Sequence, residues 1–139
     1  MFVIKPIKET EIQISVAYEC GCEYIKGTLA YAAWELKDDG KTPDFPIGVC
    51  QFYPGENAEI FTLKPKDGCE EDEAMIILIR SVMSFLERAG SKSLFMPHSA
   101  GPDSLLKKCG LKKSEGGYTM DLTEFYKSPC KYNEANKNE

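Results

Sequence analysis

The feature that most constrains this chain is the stretch from Ala58 to Met96, which reads as strand, acidic turn, long apolar helix, strand. Glu59 to Leu63 is β-branched and aromatic, which suits a half-buried pleated surface. Lys64-Pro65-Lys66-Asp67-Gly68-Cys69 breaks that run. Glu70, Glu71, Asp72 and Glu73 then open a helix that runs to about Ala89 and stops at Gly90, with acids where the helix dipole favours them. Met75, Leu78, Ile79, Val82, Phe85, Leu86 and Ala89 recur at helical spacing, widened by Ile76 and Met83. Arg80, Ser81, Ser84, Glu87 and Arg88 gather opposite. A stripe this wide belongs to a helix packed against a sheet, and its methionines read as core filler. Ser93 to Met96 returns as a strand. Strand, crossover helix and strand make a parallel pair with a right-handed connection. Its turn before the helix carries unpaired N–H groups that attract anions.

The flanking segments build outwards from this unit. Phe2 to Ile7 reads as an opening strand. Glu9 to Ile25 admits two readings: Ile12, Ile14, Val16 and Tyr18 alternate like a strand, whereas Ile12, Val16 and Cys20 with Ala17 and Gly21 form a helical stripe. Thr10 as a cap favours helix, with breaks at Gly21 and Gly27. Thr28 to Leu36, Phe45 to Tyr53 and Glu59 to Leu63 form an antiparallel meander through a Lys37 to Asp44 loop and a Pro54 to Asn57 turn. Trp34 and Phe52 read as core aromatics. Asp103 to Cys109 is a short helix stopped by Gly110. Leu111 to Ser114, the Gly116-Gly117 turn and Tyr118 to Leu122 make a closing hairpin or one bulged strand. Residues 1–126 are expected to form a single domain, and 127–139 a polar flexible tail.

Composition excludes several classes of function. No apolar run approaches the roughly 18 residues of a membrane span, and the N-terminus lacks the pattern of a secretion leader. A cytoplasmic protein with no membrane partner is expected. The net charge of −5 counts against nucleic acid, which needs a basic face, and suits an amine-bearing small molecule. The six cysteines read as free thiols. Cys20-Gly21-Cys22 has the wrong spacing for a tetrahedral zinc pair, so no metal is expected.

The element order from Phe2 to about Leu122 resembles that of the GCN5-related N-acetyltransferase (GNAT) family. Asp103 to Leu111 resembles the family's short helix, which usually ends in Tyr-x-x-x-Gly-Phe, and Tyr118-Thr119-Met120-Asp121-Leu122 resembles its closing strand. Ala58 to Pro65 resembles its fourth strand with a proline exit. The resemblance implies an α+β (α/β) fold. It is a mixed, mostly antiparallel central sheet with helices on both faces, around a core of fourth strand, long helix and fifth strand. It implies acetyl-CoA as co-substrate, held in the gap where the fourth and fifth strands splay. On that reading Phe61, Thr62 and Leu63 would pair with the pantetheine, while Lys64, Lys66, Gly68 and Cys69 would receive the pyrophosphate. The acceptor would be a small-molecule amine, and a homodimer through a sheet edge is compatible with the fold.

Two residues are candidates for the chemistry. Glu59 stands where some family members keep a general base, its plain alternative being a hairpin-end carboxylate in water. His98 follows the fifth strand and has the titration range for proton transfer, its alternative being a surface loop histidine. Cys69 lies beside a helix N-terminus, but the neighbouring acids oppose a reactive thiolate. The sequence also departs from the family. Counted on from Pro65, the loop's first basic position falls on Gly68 and its glycine positions on Glu71 and Glu73. Leu106 stands where the family's acid tyrosine would be. One carboxylate about 5 Å from a phosphate charge, at an effective dielectric near 20, costs about 3 kcal/mol before screening. Two functions therefore stand side by side: an N-acetyltransferase, and a degenerate GNAT-like domain for ligand binding or protein interaction.

Overall fold

The computed structural model describes residues 1–69, 71–101 and 103–127. The strands are β1 (Phe2–Ile7), β2 (Leu29–Leu36), β3 (Pro43–Tyr53), β4 (Asn57–Pro65), β5 (Ser93–Pro97), β6 (Lys112–Ser114) and β7 (Gly117–Asp121). The helices are α1 (Thr10–Glu19), α2 (Asp72–Arg88), α3 (Asp103–Lys108) and α4 (Leu122–Lys127), with a 3-10 turn at His98–Ala100. One seven-stranded sheet runs in the order β1-β2-β3-β4-β5-β7-β6. Among the described strands only β4 and β5 are parallel. The mixed, mostly antiparallel sheet expected from the sequence is what forms.

Helices cover both faces. On one face α2 buries Met75, Leu78, Ile79, Val82, Met83 and Leu86 against Phe52, Ile60, Leu63, Leu94 and Met96, and α3 adds Leu105 and Leu106 to the same core. Gly48 in β3 lies under the Met75 thioether, where a Cβ would collide. The predicted stripe is largely observed. Ala89 is instead exposed, because α2 ends at Arg88. The helix starts at Asp72, later than expected, and Glu70 lies outside the described residues.

On the other face α1 packs Val16 and Cys20 over Ala32 and Val49. Val16, Ala17 and Cys20 of the predicted stripe are buried, but Ile12 is 42% exposed and Gln13 is buried instead. The cause is a polar hub. Gln13 Nε2 donates to Gln51 Oε1 (3.0 Å) and Thr28 Oγ1 (2.9 Å), and the Ile25 N–H donates to the same Gln51 oxygen (3.0 Å). Gln51 Nε2 donates in turn to the Glu23 carbonyl (2.8 Å) and Thr62 Oγ1 (3.3 Å). A buried amide must be hydrogen-bonded, so partnering Gln51 takes precedence over burying Ile12. Thr10 is the first helical residue rather than the cap, which is Glu9 with no side-chain bond.

The closing segment is a hairpin, β6 with β7, rather than one bulged strand. The strand ends at Asp121, one residue early, and α4 follows. Asp121 Oδ1 accepts the Glu124 N–H at 3.0 Å, which caps that helix. The expected tail from Lys127 onwards falls, after Lys127 itself, outside the described residues, as does Cys130. Among the described residues no helix is long and apolar enough to cross a membrane.

The five described cysteines are free thiols. Burial, ahead of any neighbouring charge, pushes Cys20 and Cys109 up to about 12 and raises Cys50 as well. An unfolded thiol ionises near 8.5. Above that pH the unfolded chain sheds protons that the folded chain keeps, so stability falls as pH rises. The fall is at most about 1.4 kcal/mol per pH unit for the enclosed Cys50. Urea midpoints should hold steady from pH 6 to 8 and decline from pH 9 to 11. Cys50→Ala should start lower and decline less steeply, and parallel declines would refute this account.

Candidate active site

The site begins with a loss of pairing. β4 and β5 meet over three rungs only: Asn57 with Ser93, Ala58 with Leu94 and Glu59 with Phe95. β4 continues to Pro65, while β5 continues with β7 to the Pro97–Gly117 pair. The two strands therefore diverge from Ile60 onwards. Against β3 the register slips at the same level, with Ile60 opposite Phe52 but Thr62 opposite Gln51. Phe61 is the extra residue of a β-bulge, the device that bends a strand and re-aims its side chains. Ile60 consequently points into the α2 core and Thr62 into the Gln51 hub on the α1 face. A strand edge that has lost its neighbour presents N–H and C=O groups to an added strand or ligand.

Glu59 occupies the last rung before the divergence, between Tyr53 and Phe95. Its neighbours Ala58 and Ile60 face α2, so its half-buried carboxylate faces the α1 side. Phe61 is half-buried, and Thr62 and Leu63 are buried.

The turn between β4 and α2 is already internally paired. Lys64 Nζ donates to the Pro65 carbonyl (2.9 Å) and Asp67 Oδ1 (3.1 Å). Lys66 Nζ lies 4.8 Å above the Phe45 ring, a cation–π distance. Gly68 adopts φ +85° with open space around it, so it serves the turn whatever the turn binds. Cys69 packs against the Ala33, Ile47 and Ala74 cluster. Asp72 and Glu73 occupy the first turn of α2, next to Glu71 at the cap. Asp72 Oδ2 accepts from Lys108 Nζ of α3 at 2.6 Å. Every lysine near the helix start thus has a partner within the chain.

His98 stands apart from this turn, at the far end of β5. Its ring meets the Tyr118 ring edge-on at 5.3 Å, and its Nδ1 lies 3.9 Å from Asp103 Oδ1. The Tyr118 hydroxyl donates to that same oxygen at 3.0 Å. Burial first, then the bond to Asp103 and its charge, raises the Tyr118 hydroxyl above its ordinary value, which keeps it a donor. Leu106 is fully buried in the core and supplies no proton. Asp103 and Tyr118 are residues that sequence reasoning missed. The Met96–Tyr118 register of β5 and β7 brings Tyr118 beside His98, and Asp103 arrives at the start of α3.

Beyond β5 the chain crosses back to β4. Ala100 is buried, and a Cβ on Gly101 would stand 2.8 Å from the Leu63 carbonyl oxygen. The wide end of the splay is bridged by the chain itself. The edge left unpaired beside the Phe61 bulge suits the thioester half of acetyl-CoA as far as Thr62, while Gly101 covers it at Leu63. The residues present do not fit the diphosphate half, because acids surround the helix start and the nearby lysines are engaged.

No family model matches the chain, and no curated protein matches it in sequence. Solved structures do match in fold. A GNAT family acetyltransferase from Brucella melitensis, in complex with acetyl-CoA, is 14% identical with a TM-score of 0.62, over 87% of this chain and 88% of that one. A GNAT family N-acetyltransferase from Escherichia coli, in complex with CoA, is 12% identical with a TM-score of 0.61, over 89% and 83%. An IAA acetyltransferase from Bacillus cereus is 19% identical with a TM-score of 0.61, over 81% and 77%. The chain has the fold of the GNAT acetyltransferases, as its element order implied.

Gly101→Ala tests the bridge across the splay. The added methyl meets a backbone carbonyl that cannot rotate away, so the variant should lose about 1–3 kcal/mol. A lowering of Tm by several degrees is expected. An unchanged denaturation midpoint would mean that this segment does not lie against β4.

Proposed function

We propose that this chain is an acyltransferase that moves an acetyl group from a thioester donor of the acetyl-CoA type to a small-molecule amine. The observation that carries the reading is the divergence of β4 from β5 immediately after Glu59, beside the bulge at Phe61. The donor's pantetheine would lie along Phe61, Thr62 and Leu63, with its far end towards Lys64, Lys66, Gly68 and Cys69. Glu59 is assigned the amine's proton: an amine attacks a thioester only with its lone pair free, and a carboxylate on the last rung can take the proton it sheds. The acidic net charge of −5 suits such an acceptor. A cytoplasmic setting and a homodimer through β1, which among the described residues pairs with β2 alone, belong to the same reading.

A second reading has its own support. Acids at the start of α2, together with Gly101 lying on Leu63, favour a GNAT-like domain that has given up CoA and serves as a binding module. Calorimetry and thermal shift with acetyl-CoA and with S-acetylpantetheine separate the two. A ligand present at 100 times its Kd stabilises by about 2.7 kcal/mol, which raises Tm by several degrees. On the acyltransferase reading acetylpantetheine binds. Acetyl-CoA binds too, more weakly at low salt than at high, because salt screens the repulsion from Glu71, Asp72 and Glu73. Gly68→Glu should weaken acetyl-CoA and leave acetylpantetheine unchanged. If neither thioester shifts Tm at millimolar concentration, the acyltransferase reading is wrong and the binding-module reading stands.

A further inference from the structure

We infer that His98 is the site's proton donor to the departing sulfur, and that Asp103 and Tyr118 are the positioning residues that make it so. The role rests on the acyltransferase reading, but the arrangement behind it does not. One oxygen, Asp103 Oδ1, accepts the Tyr118 hydroxyl at 3.0 Å and lies 3.9 Å from His98 Nδ1. That second distance is longer than a hydrogen bond but within ion-pair range, and acid–base contacts of unliganded enzymes commonly tighten only when substrate arrives. The His98 ring is set by its edge-on contact with Tyr118, and its backbone is tied down where the amide N–H donates to the Gly116 carbonyl at 3.4 Å.

Each member of the cluster is fixed from a different element. Tyr118 comes from β7 and is fully buried with Met96 in the core beneath α2. Asp103 is the first residue of α3, and His98 opens the 3-10 turn after β5. The His98 side chain is 44% exposed, so it keeps access to a ligand while its Nδ1 side is held. A carboxylate opposite Nδ1 selects the Nδ1–H tautomer and leaves Nε2 as the working nitrogen.

The placement supplies what Leu106 cannot. Glu59 faces the α1 side of the splay, whereas the His98–Tyr118 contact lies on the α2 side, so the two proton-bearing groups flank the gap on opposite faces. As the amine nitrogen bonds to the acetyl carbon and the carbon–sulfur bond breaks, Glu59 takes the amine proton. The thiolate takes the Nε2 proton of the His98 imidazolium. What remains is a neutral imidazole with its Nδ1–H facing Asp103. Both groups then exchange protons with water to reset.

His98 is the only histidine in the chain, so a single imidazole reports in nitrogen-15 NMR. In the neutral form the protein should show the Nδ1–H tautomer. Asp103→Ala should return it to the Nε2–H form that free imidazole side chains prefer. Tyr118→Phe keeps the ring contact and removes only the hydroxyl, and should give a mixture. An Nε2–H tautomer in the unaltered protein, or the same spectrum in Asp103→Ala, overturns the arrangement. In a thiol-release assay His98→Gln and Asp103→Ala should lower kcat about 10- to 100-fold, with the KM for donor within about twofold. An unchanged kcat in His98→Gln overturns the role. Failure of both thioesters to bind removes the acyltransferase reading and the role together, while the tautomer still decides the arrangement.

Discussion

The rest of the structure depends on the burial of α2 against β3 and β4. Met75, Leu78, Ile79, Val82, Met83 and Leu86 are all within 2% of full burial. Each such side chain contributes about 1.5–3 kcal/mol on leaving water. Because α2 cannot slide on the sheet, its C-terminal end fixes where the next strand starts. Ala89 and Gly90 close the helix, Ser91 Oγ donates to the Gly55 carbonyl, and the Lys92 N–H donates to the Glu56 carbonyl at 2.8 Å. These bonds seat Ser93 beside Asn57 and start the parallel pair. The divergence that makes a site possible is thus a consequence of core packing in the adjoining layer.

What could be read from the sequence was what repeats. The stripe on α2 and the alternating strands of the meander announce themselves because burial imposes one period over many residues. Interactions made once leave no such trace. α1 is turned by Gln13 and Gln51, two amides that lie 38 residues apart and look like ordinary polar positions until they meet. The bulge at Phe61 is invisible in a run of apolar letters, because nothing in residue type says which position is unopposed. α4 had a local signal: Asp121 and Glu124 have the spacing of a helix cap, but the strand-like Tyr118 to Leu122 run overshadowed it. Of the site, Glu59 and His98 were named from position alone. Asp103 and Tyr118 were not, because their link to His98 depends on a pairing register.

Charge runs through the two halves of the site in opposite directions. At the start of α2 the dipole is met by Glu71, Asp72 and Glu73, and Lys108 reaches across from α3 to Asp72. That arrangement holds two helices together with groups that would otherwise greet an anion. At the end of β5 the single carboxylate of Asp103 gathers a hydroxyl and an imidazole instead. One end of the gap has its electrostatics spent on holding the fold, and the other retains a half-exposed titratable group.

The crossing of Gly101 over Leu63 gives the fold a competitor built into its own chain. A donor strand cannot simply add to β4 there, since the backbone of the same molecule already lies in place at a very high local concentration. For a donor that adds to this edge, affinity would be the product of two quantities, the intrinsic fit of the edge and the fraction of molecules in which the crossing has lifted. If that fraction is about one in a hundred, the apparent Kd is about a hundredfold weaker than the intrinsic one. A partner or acceptor that held the crossing open would strengthen donor binding by the same factor, without touching the donor at all.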